Sequence, residues 1–429
     1  MQQNPKRSKH ETASLEKTAI RFREKIREEI ELEIDLLSKA QEDKKQTSSK
    51  YSSSVEREEQ STETVKPSKR RLDSLARFLS ISETCAAVCY DGRQLLIANN
   101  SGDKESINSL IEGLKYYIEN KEKCNPLDLY IQYVLPIALN NWLDIYENQQ
   151  ALMVRNSEIQ QKLKAQGDSN PLSEEESAQL ARAELVLNVF EDLKYFNDKR
   201  YTIMDSEEEN TEWWLHHDRL IKNATILSKN KDDKQVLKIA KNIIRPKKDL
   251  EKILIGLKTE KDINVDIITA IKDQKVLFLE NPDELHAEMV VLKYLIENSN
   301  IPEPKAKIEG YEFGISKLTC CQCDLALKLS KSLIDKEIWY RGTHGYTYPN
   351  WKPPEFLLDN IKEIGNNFIT ATQDIRKKLE SKEIGFVKGS DDSEMSPSPP
   401  HEPEDMGHSS NPTHEGDPTR KTDVPKPGP

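Results

Sequence analysis

The sequence predicts an α/β domain interrupted by a large all-helical insertion, with a helical arm before it and a disordered acidic tail after it. Three observations predict this. A β-hairpin pattern occupies residues 84–98, and strand and helix patterns alternate again from 276 to 341. Between them lie about 170 residues with helical periodicity alone. The stretches 41–69 and 386–429 are too polar to pack. At 429 residues the chain has room for two or three units.

Composition narrows the class. Apolar residues make up 36% and charged residues 32%, against ordinary values near 45–50% and 25%. The net charge of −11 argues against a generic DNA-coating role. No apolar run approaches the ~18–20 residues of a membrane span, and the start, Met1 to Lys6, lacks the hydrophobic stretch of a signal peptide. A cytoplasmic protein with no membrane partner is therefore expected. Cys320, Cys321 and Cys323 fall within four residues, which reads as metal chemistry in a reducing compartment.

In the arm, residues 1–40, Leu15, Ala19, Phe22, Ile26, Ile30, Ile34 and Leu37 recur every three or four positions among charged residues, the pattern of an amphipathic helix. Its apolar face either docks on the rest of the chain or offers a protein partner a helix. Residues 41–69 read as a disordered linker. Residues 70–102 begin the α/β domain: Leu72, Leu75, Ala76 and Leu79 mark a short helix. Thr84–Tyr90, the turn Asp91-Gly92 and Arg93–Ala98 then spell a hairpin.

The insertion, residues 103–273, carries Ile107, Leu110, Ile111, Leu114 and Ile118 on one helix face. A second helix follows from Pro126 to Glu147, kinked at Pro136, and Ser173–Glu176 is a capping box before a further apolar run. The lysines and arginine at 241, 245, 247, 248, 252 and 258 read as a solvated helix face, with phosphate tracking as the alternative. His216 and His217 lack a ligand partner and read as surface or packing residues. Cys85 and Cys89 read as core. The tail, 386–429, is acidic and proline-rich; from Ser390 onward it holds 9 of the 21 prolines and only three apolar side chains.

The chemistry gathers in residues 274–385. Val276–Glu280 is a strand, after which Asn281 or Asp283 can cap a helix whose first turn suits Pro282. His286 and Glu288 then sit near a helix N-terminus. Tyr311–Leu318 is a strand, Thr319 an N-cap, and the helix from Cys320 to Leu333 carries Cys320 and Cys323 on its first turn, three apart and on one face. One imidazole and two thiols would converge at the positive ends of two helix dipoles, which favour thiolates. Three protein ligands leave one tetrahedral position open, the pattern of a catalytic rather than a structural zinc site. Glu288 is left free to shuttle protons. Cys321 points elsewhere on the helix and reads as a packed thiol.

The order His-Ala-Glu then Cys-x-x-Cys, each at the start of a helix that follows a strand, resembles the zinc deaminases and their cytidine-deaminase-like three-layer fold. Gly314-Ile-Ser-Lys-Leu-Thr-Cys-Cys-Gln-Cys323, Tyr340-Arg-Gly-Thr-His-Gly345 and Tyr348-Pro-Asn-Trp351 resemble one branch of that superfamily, the predicted nucleic-acid deaminases of intracellular bacteria and fungi with a long helical insert. Thr319 stands where the general pattern has proline.

The resemblance implies Zn²⁺ as cofactor, held by His286, Cys320 and Cys323, with Glu288 as the proton shuttle. It implies a cytosine- or adenine-type base, in a nucleic acid or a nucleotide, as substrate. Asn99 would hold the sugar, and His344 and Trp351, with Tyr346 and Tyr348, would lie near a stacked base. Delivery into a host cell as an effector belongs to the same resemblance. The competing expectation is a catalytically inactive relative that keeps zinc as a staple and serves as an interaction scaffold.

Overall fold

The computed structural model describes residues 9–48, 71–81, 85–100, 103–199, 207–230, 232–259, 265–299, 310–340, 342–343, 345–360 and 364–381. All belong to one of two units of the chain, Met1–Met395; the other, Ser396–Pro429, lies outside the described residues, as do the whole of the expected tail, 386–429, and the remainder of the expected linker from 49 onward.

Five short strands form one mixed sheet. The hairpin strands β1 (Ala86–Tyr90) and β2 (Leu95–Asn99) are antiparallel, with Tyr90 opposite Leu95 and Ala86 opposite Asn99. β3 (Val276–Phe278) runs parallel beside β2, β4 (Gly310–Ile315) antiparallel beside β1, and β5 (Glu337–Trp339) parallel beside β4, in the order β3-β2-β1-β4-β5. The two-residue period of a strand sends alternate side chains to opposite faces. Ala86, Val88, Leu95 and Ile97 enter one core, and Ala87, Cys89, Leu96 and Ala98 enter another. A sheet covered on both faces explains why these strands are apolar throughout rather than alternating.

The first core is closed by α2 (Arg71–Leu79) and by the helices between β2 and β3. These are α3 (Lys104–Glu119), α4 (Pro126–Leu129), α5 (Leu135–Asn148), α6 (Gln150–Gly167), α7 (Glu174–Asp198), α8 (Glu207–Leu227), α9 (Lys234–Thr259) and α10 (Val265–Lys272). α2 lies so close to β4 that a Cβ on Gly314 would stand 2.2 Å from the Leu72 backbone, and Asp73 accepts from the Ile315 N–H at 2.9 Å. The expected kink at Pro136 takes the form of a π-helical turn, Tyr130–Val134, which absorbs the lost helix bond just before the proline. The capping box forms as expected: Ser173 Oγ accepts from Glu176 N at 3.2 Å while Glu176 accepts from Ser173 N at 2.9 Å.

The polar residues of these helices serve packing. His216 stacks on Tyr195 and meets the buried Asp192 carboxylate at 2.7 Å; His217 is buried against Trp213 and the Tyr130 hydroxyl. Arg245, from the basic run, donates to the Arg77 and Ser80 carbonyls at 3.2 Å and pairs with Asp249, tying α9 to the end of α2. It is a docking residue.

The second core holds α11 (Ala287–Glu297), α12 (Cys321–Leu329), α13 (Lys331–Ile334), α14 (Glu355–Asp359), α15 (Asn366–Glu380) and the arm helix α1 (Lys9–Ser48). Ile26, Ile30 and Ile34 of α1 are buried there, so the arm's apolar face docks on its own chain. Phe22, in the same periodic series, is exposed. Arg27 pairs with Glu355 at 2.7 Å and Arg376 with Glu33 at 3.2 Å.

Four sequence expectations are corrected. α1 runs through Gln41 to Ser48, because tertiary bonds described below hold Gln41 where the linker was expected. The hairpin turn centres on Gly92-Arg93, since Asp91 and Gln94 are joined by a backbone bond of 3.1 Å and the Asp91 carboxylate accepts from the N–H groups of Arg93 and Gln94. Gly92, at φ 88°, takes the left-handed position such a turn needs. The helix caps are His286 and Cys320 rather than Asn281, Asp283 or Thr319. The helix expected from Cys320 to Leu333 is broken at Ser330.

Candidate metal centre

The loop between β3 and α11 sets the first ligand. Asn281 Oδ1 accepts from Leu285 N at 2.8 Å and its Nδ2 donates to Leu285 O at 2.7 Å, so the side chain closes the loop on itself instead of capping the helix. Asn100, just past β2, accepts from Ala287 N at 2.8 Å and supplies the bond a cap would have made. His286 therefore takes the extended cap conformation (ψ 143°), and Glu288 falls in the first turn of α11.

The second set comes from α12. Thr319 pairs with Thr343 as an isolated parallel bridge, which holds the chain extended up to Cys320. Cys320 Sγ then accepts from Cys323 N at 3.4 Å, a thiol acting as helix cap. Nδ1 of His286 lies 3.6 Å from Cys320 Sγ and 3.3 Å from Cys323 Sγ. The three donor atoms all fall within 4.8 Å of one another, and among the described residues this is the group able to hold a metal ion.

The electrostatics suit a soft cation. Burial favours the neutral thiol at Cys320, yet hydrogen bonding with Cys323 and the His286 ring outweighs it and brings the thiol down to about 6. Burial likewise works against charge on His286, and the Cys320 thiolate overrides it, raising the ring to about 9. Cys323 is held well above its ordinary range, first by burial and then by the adjacent Cys320. One imidazole and two thiols form a donor set of the kind zinc takes, with protein ligands numbering three.

Glu288 completes the arrangement. It is 2% exposed, its Oε1 stands 4.0 Å from His286 Nδ1, and its Oε2 is buried with no hydrogen-bond partner. A buried carboxylate oxygen left unbonded is costly. A water or substrate proton beside the ligand cluster would satisfy it, so the residues fit the zinc that the sequence implied.

The surroundings differ in part from expectation. The Tyr348 and His286 rings meet in a T-shaped arrangement with centroids 5.6 Å apart; burial, then the charges of Cys320, Cys85 and Glu288, push the Tyr348 hydroxyl up to about 12. Trp351 was expected to face a base. Its ring is instead buried face to face with Phe368, and its indole N–H donates to Cys323 Sγ at 3.2 Å. Asn99 is buried at the end of β2, its Nδ2 3.4 Å from Asp103 O; its neighbour Asn100 is the one that reaches α11. His344 lies outside the described residues.

Cys85 adjoins the site rather than serving the core alone. Burial and then the Glu288 charge push its thiol up to about 12, and it accepts from Ser316 Oγ at 3.7 Å. Nothing in the order of residues marks Cys85 or Asn100, because the hairpin and α11 meet only in the folded chain. Cys321 behaves as the sequence implied. It packs against Leu37 and Leu379, outside the ligand cluster, with its thiol raised to about 12 by burial.

A family model described as an OTT_1508_deam-like deaminase matches residues 285–355, the segment that carries His286, Glu288, Cys320 and Cys323. This stretch is deaminase-like, and its His-Cys-Cys group can bind a metal ion. No curated protein and no solved structure matches the chain. Among the described residues no helix is long and apolar enough to cross a membrane.

Proposed function

We propose that the protein is a zinc-dependent hydrolytic deaminase acting on a cytosine- or adenine-type base in a nucleic acid or nucleotide. In this reading residues 70–102 and 274–385 make up the deaminase domain and 103–273 an insertion within it. The observation that carries the reading is Glu288, a buried carboxylate with a free oxygen beside three metal-type donors. A scaffold that keeps metal as a staple has no use for that oxygen.

His286, Cys320 and Cys323 would hold the ion. Zinc bound there would act as a Lewis acid, making a water acidic enough to give up a proton near neutral pH. Glu288 takes a proton from the attacking water on Oε2 and delivers it to the ring nitrogen of the base. It then carries the second proton to the exocyclic amine. The C–O bond forms as the ring nitrogen takes the first proton; the C–N bond breaks only once the amine has taken the second, and ammonia leaves. Burial shields the carboxylate from bulk water, so neither transfer competes with it. Tyr348 walls the site next to His286.

Ammonia release from a panel of free nucleotides, single- and double-stranded DNA, and RNA tests the proposal. Wild type should deaminate at least one of them. Glu288→Gln should keep its zinc yet lose about 10²–10⁴-fold in rate, the ordinary share of acid–base catalysis. Zinc-loaded wild type inert on the whole panel, or a fully active Glu288→Gln, would refute it.

A further inference from the structure

Residues 342–343 and 345–351, which follow β5, are laced along the first residues of α12. Thr319 donates from N and from Oγ1 to Gly342 O at 3.2 and 2.9 Å, and Thr343 Oγ1 donates to Thr319 O at 2.8 Å. Cys321 N donates to Tyr346 O at 2.9 Å, Trp351 N to Tyr348 O at 3.0 Å, and the Trp351 indole to Cys323 Sγ. Gly342 (φ 111°) and Gly345 (φ 73°) adopt backbone that side chains disfavour. One edge of this strap therefore belongs to the helix that bears both thiols.

The opposite edge belongs to the arm. Gln41 of α1 is 4% exposed; its Nε2 donates to Gly345 O at 2.9 Å and its Oε1 accepts from Thr347 N at 2.8 Å. The carboxamide imitates a peptide group and pairs with the strap as a neighbouring strand would. One turn earlier on the same helix face, Leu37 clusters with Cys321, which lies between the two ligand positions in sequence and donates from its N–H to Tyr346 O. A helix needing only to dock would place an apolar residue at a buried position, since a buried amide is costly unless paired. The bonds of Glu33 to Gln373 and Arg376 hold α1 in place independently of Gln41.

We propose that Gln41 is a positioning residue for the metal centre. It acts through the strap that sets Tyr348 against His286 and Trp351 on Cys323. The arm, which lies outside the segment matched to deaminases, is then part of the site's construction. The proposal rests on the deaminase reading only in taking His286, Cys320 and Cys323 as metal ligands.

The test uses the full zinc-loaded chain and measures how fast zinc passes to an excess of chromophoric chelator, with the absorption spectrum of the cobalt-substituted protein alongside. Gln41→Leu should release zinc about 10-fold faster, in the range of outer-shell changes at metal sites, and should alter the cobalt spectrum. Gln41→Glu keeps the acceptor for Thr347 N but cannot donate to Gly345 O, so it should fall between; it carries the test if Gln41→Leu does not fold. Glu33→Gln, which weakens arm docking elsewhere, should lower the melting temperature with release unchanged. Wild-type release and spectrum in both Gln41 variants would overturn the proposal, as would equal acceleration by Glu33→Gln. Wild type that holds no zinc overturns this proposal and the deaminase reading together. Zinc held and released as expected, with no deamination, overturns the deaminase reading alone.

Discussion

The indole N–H of Trp351 points at Cys323 Sγ from 3.2 Å, while the Trp351 ring lies parallel to Phe368 with centroids 5.5 Å apart. The tryptophan thus joins the metal-type donor set to the packing of α15. A donor aimed at a ligand sulfur steadies its charge and its direction.

Trp351→Phe should retain the stacking and lose only that bond. Zinc affinity, measured by competition with a chelator of known strength, should fall by about 10-fold, with a far smaller change in melting temperature. Unchanged affinity would show the contact to be packing alone.

The two neighbouring cysteines should separate cleanly. Cys320→Ser should lose bound zinc and destabilise the domain, because a metal that binds only the folded state stabilises it. Cys321→Ser should keep zinc by elemental analysis, since its side chain turns toward Leu37 and Leu379. Equal zinc loss in both variants would place the ligands differently. Chelation of the wild-type metal should lower the melting temperature in the same direction as Cys320→Ser.

Acid should weaken the helical layer through His217. Burial is the first cause that lowers its pKa from 6.5 in the folded state. The unfolded chain therefore binds this proton more readily, and stability falls as pH falls. The contribution is complete above about 6.5 and disappears as pH drops through the folded value. Urea midpoints between pH 8 and 5 should show this loss in wild type and a smaller one in His217→Gln. Parallel pH curves for the two proteins would rule His217 out as the source.

Gly314→Ala tests the contact between α2 and the sheet. The added Cβ would meet the Leu72 backbone at 2.2 Å, and backbone cannot swing aside as a flexible side chain can. A loss of about 1–3 kcal/mol is expected from such overpacking, read as a lower urea midpoint. A neutral substitution would show that α2 can lift from β4 freely.

Much of the candidate site was readable along the chain. His286 with Glu288, and Cys320 with Cys323, are pairs set by local spacing, so one helix turn is enough to bring each pair together. The tilt of the two helices was not local. His286 and Cys320 became the caps because Asn281 turned inward to Leu285 and Thr319 was drawn to Thr343. Trp351 looked like a surface for a base, and its burial beneath α15 depends on Phe368, seventeen positions further on.

The arm shows the same division. The apolar repeat of Ile26, Ile30 and Ile34 marks an amphipathic helix wherever it stands, because 3.6 residues per turn align those positions. That Gln41 continues the helix, and that its amide is paired rather than solvated, depends on Gly345 and Thr347 arriving from the other end of the chain. By itself the sequence determined the element types, the donor residues and the proton-shuttle candidate, since these follow from periodicity and side-chain chemistry. Tertiary structure alone decided which polar groups lose their water, and with them the roles of Gln41, Cys85, Asn100 and Trp351, because burial is a property of the packed chain and not of any segment within it.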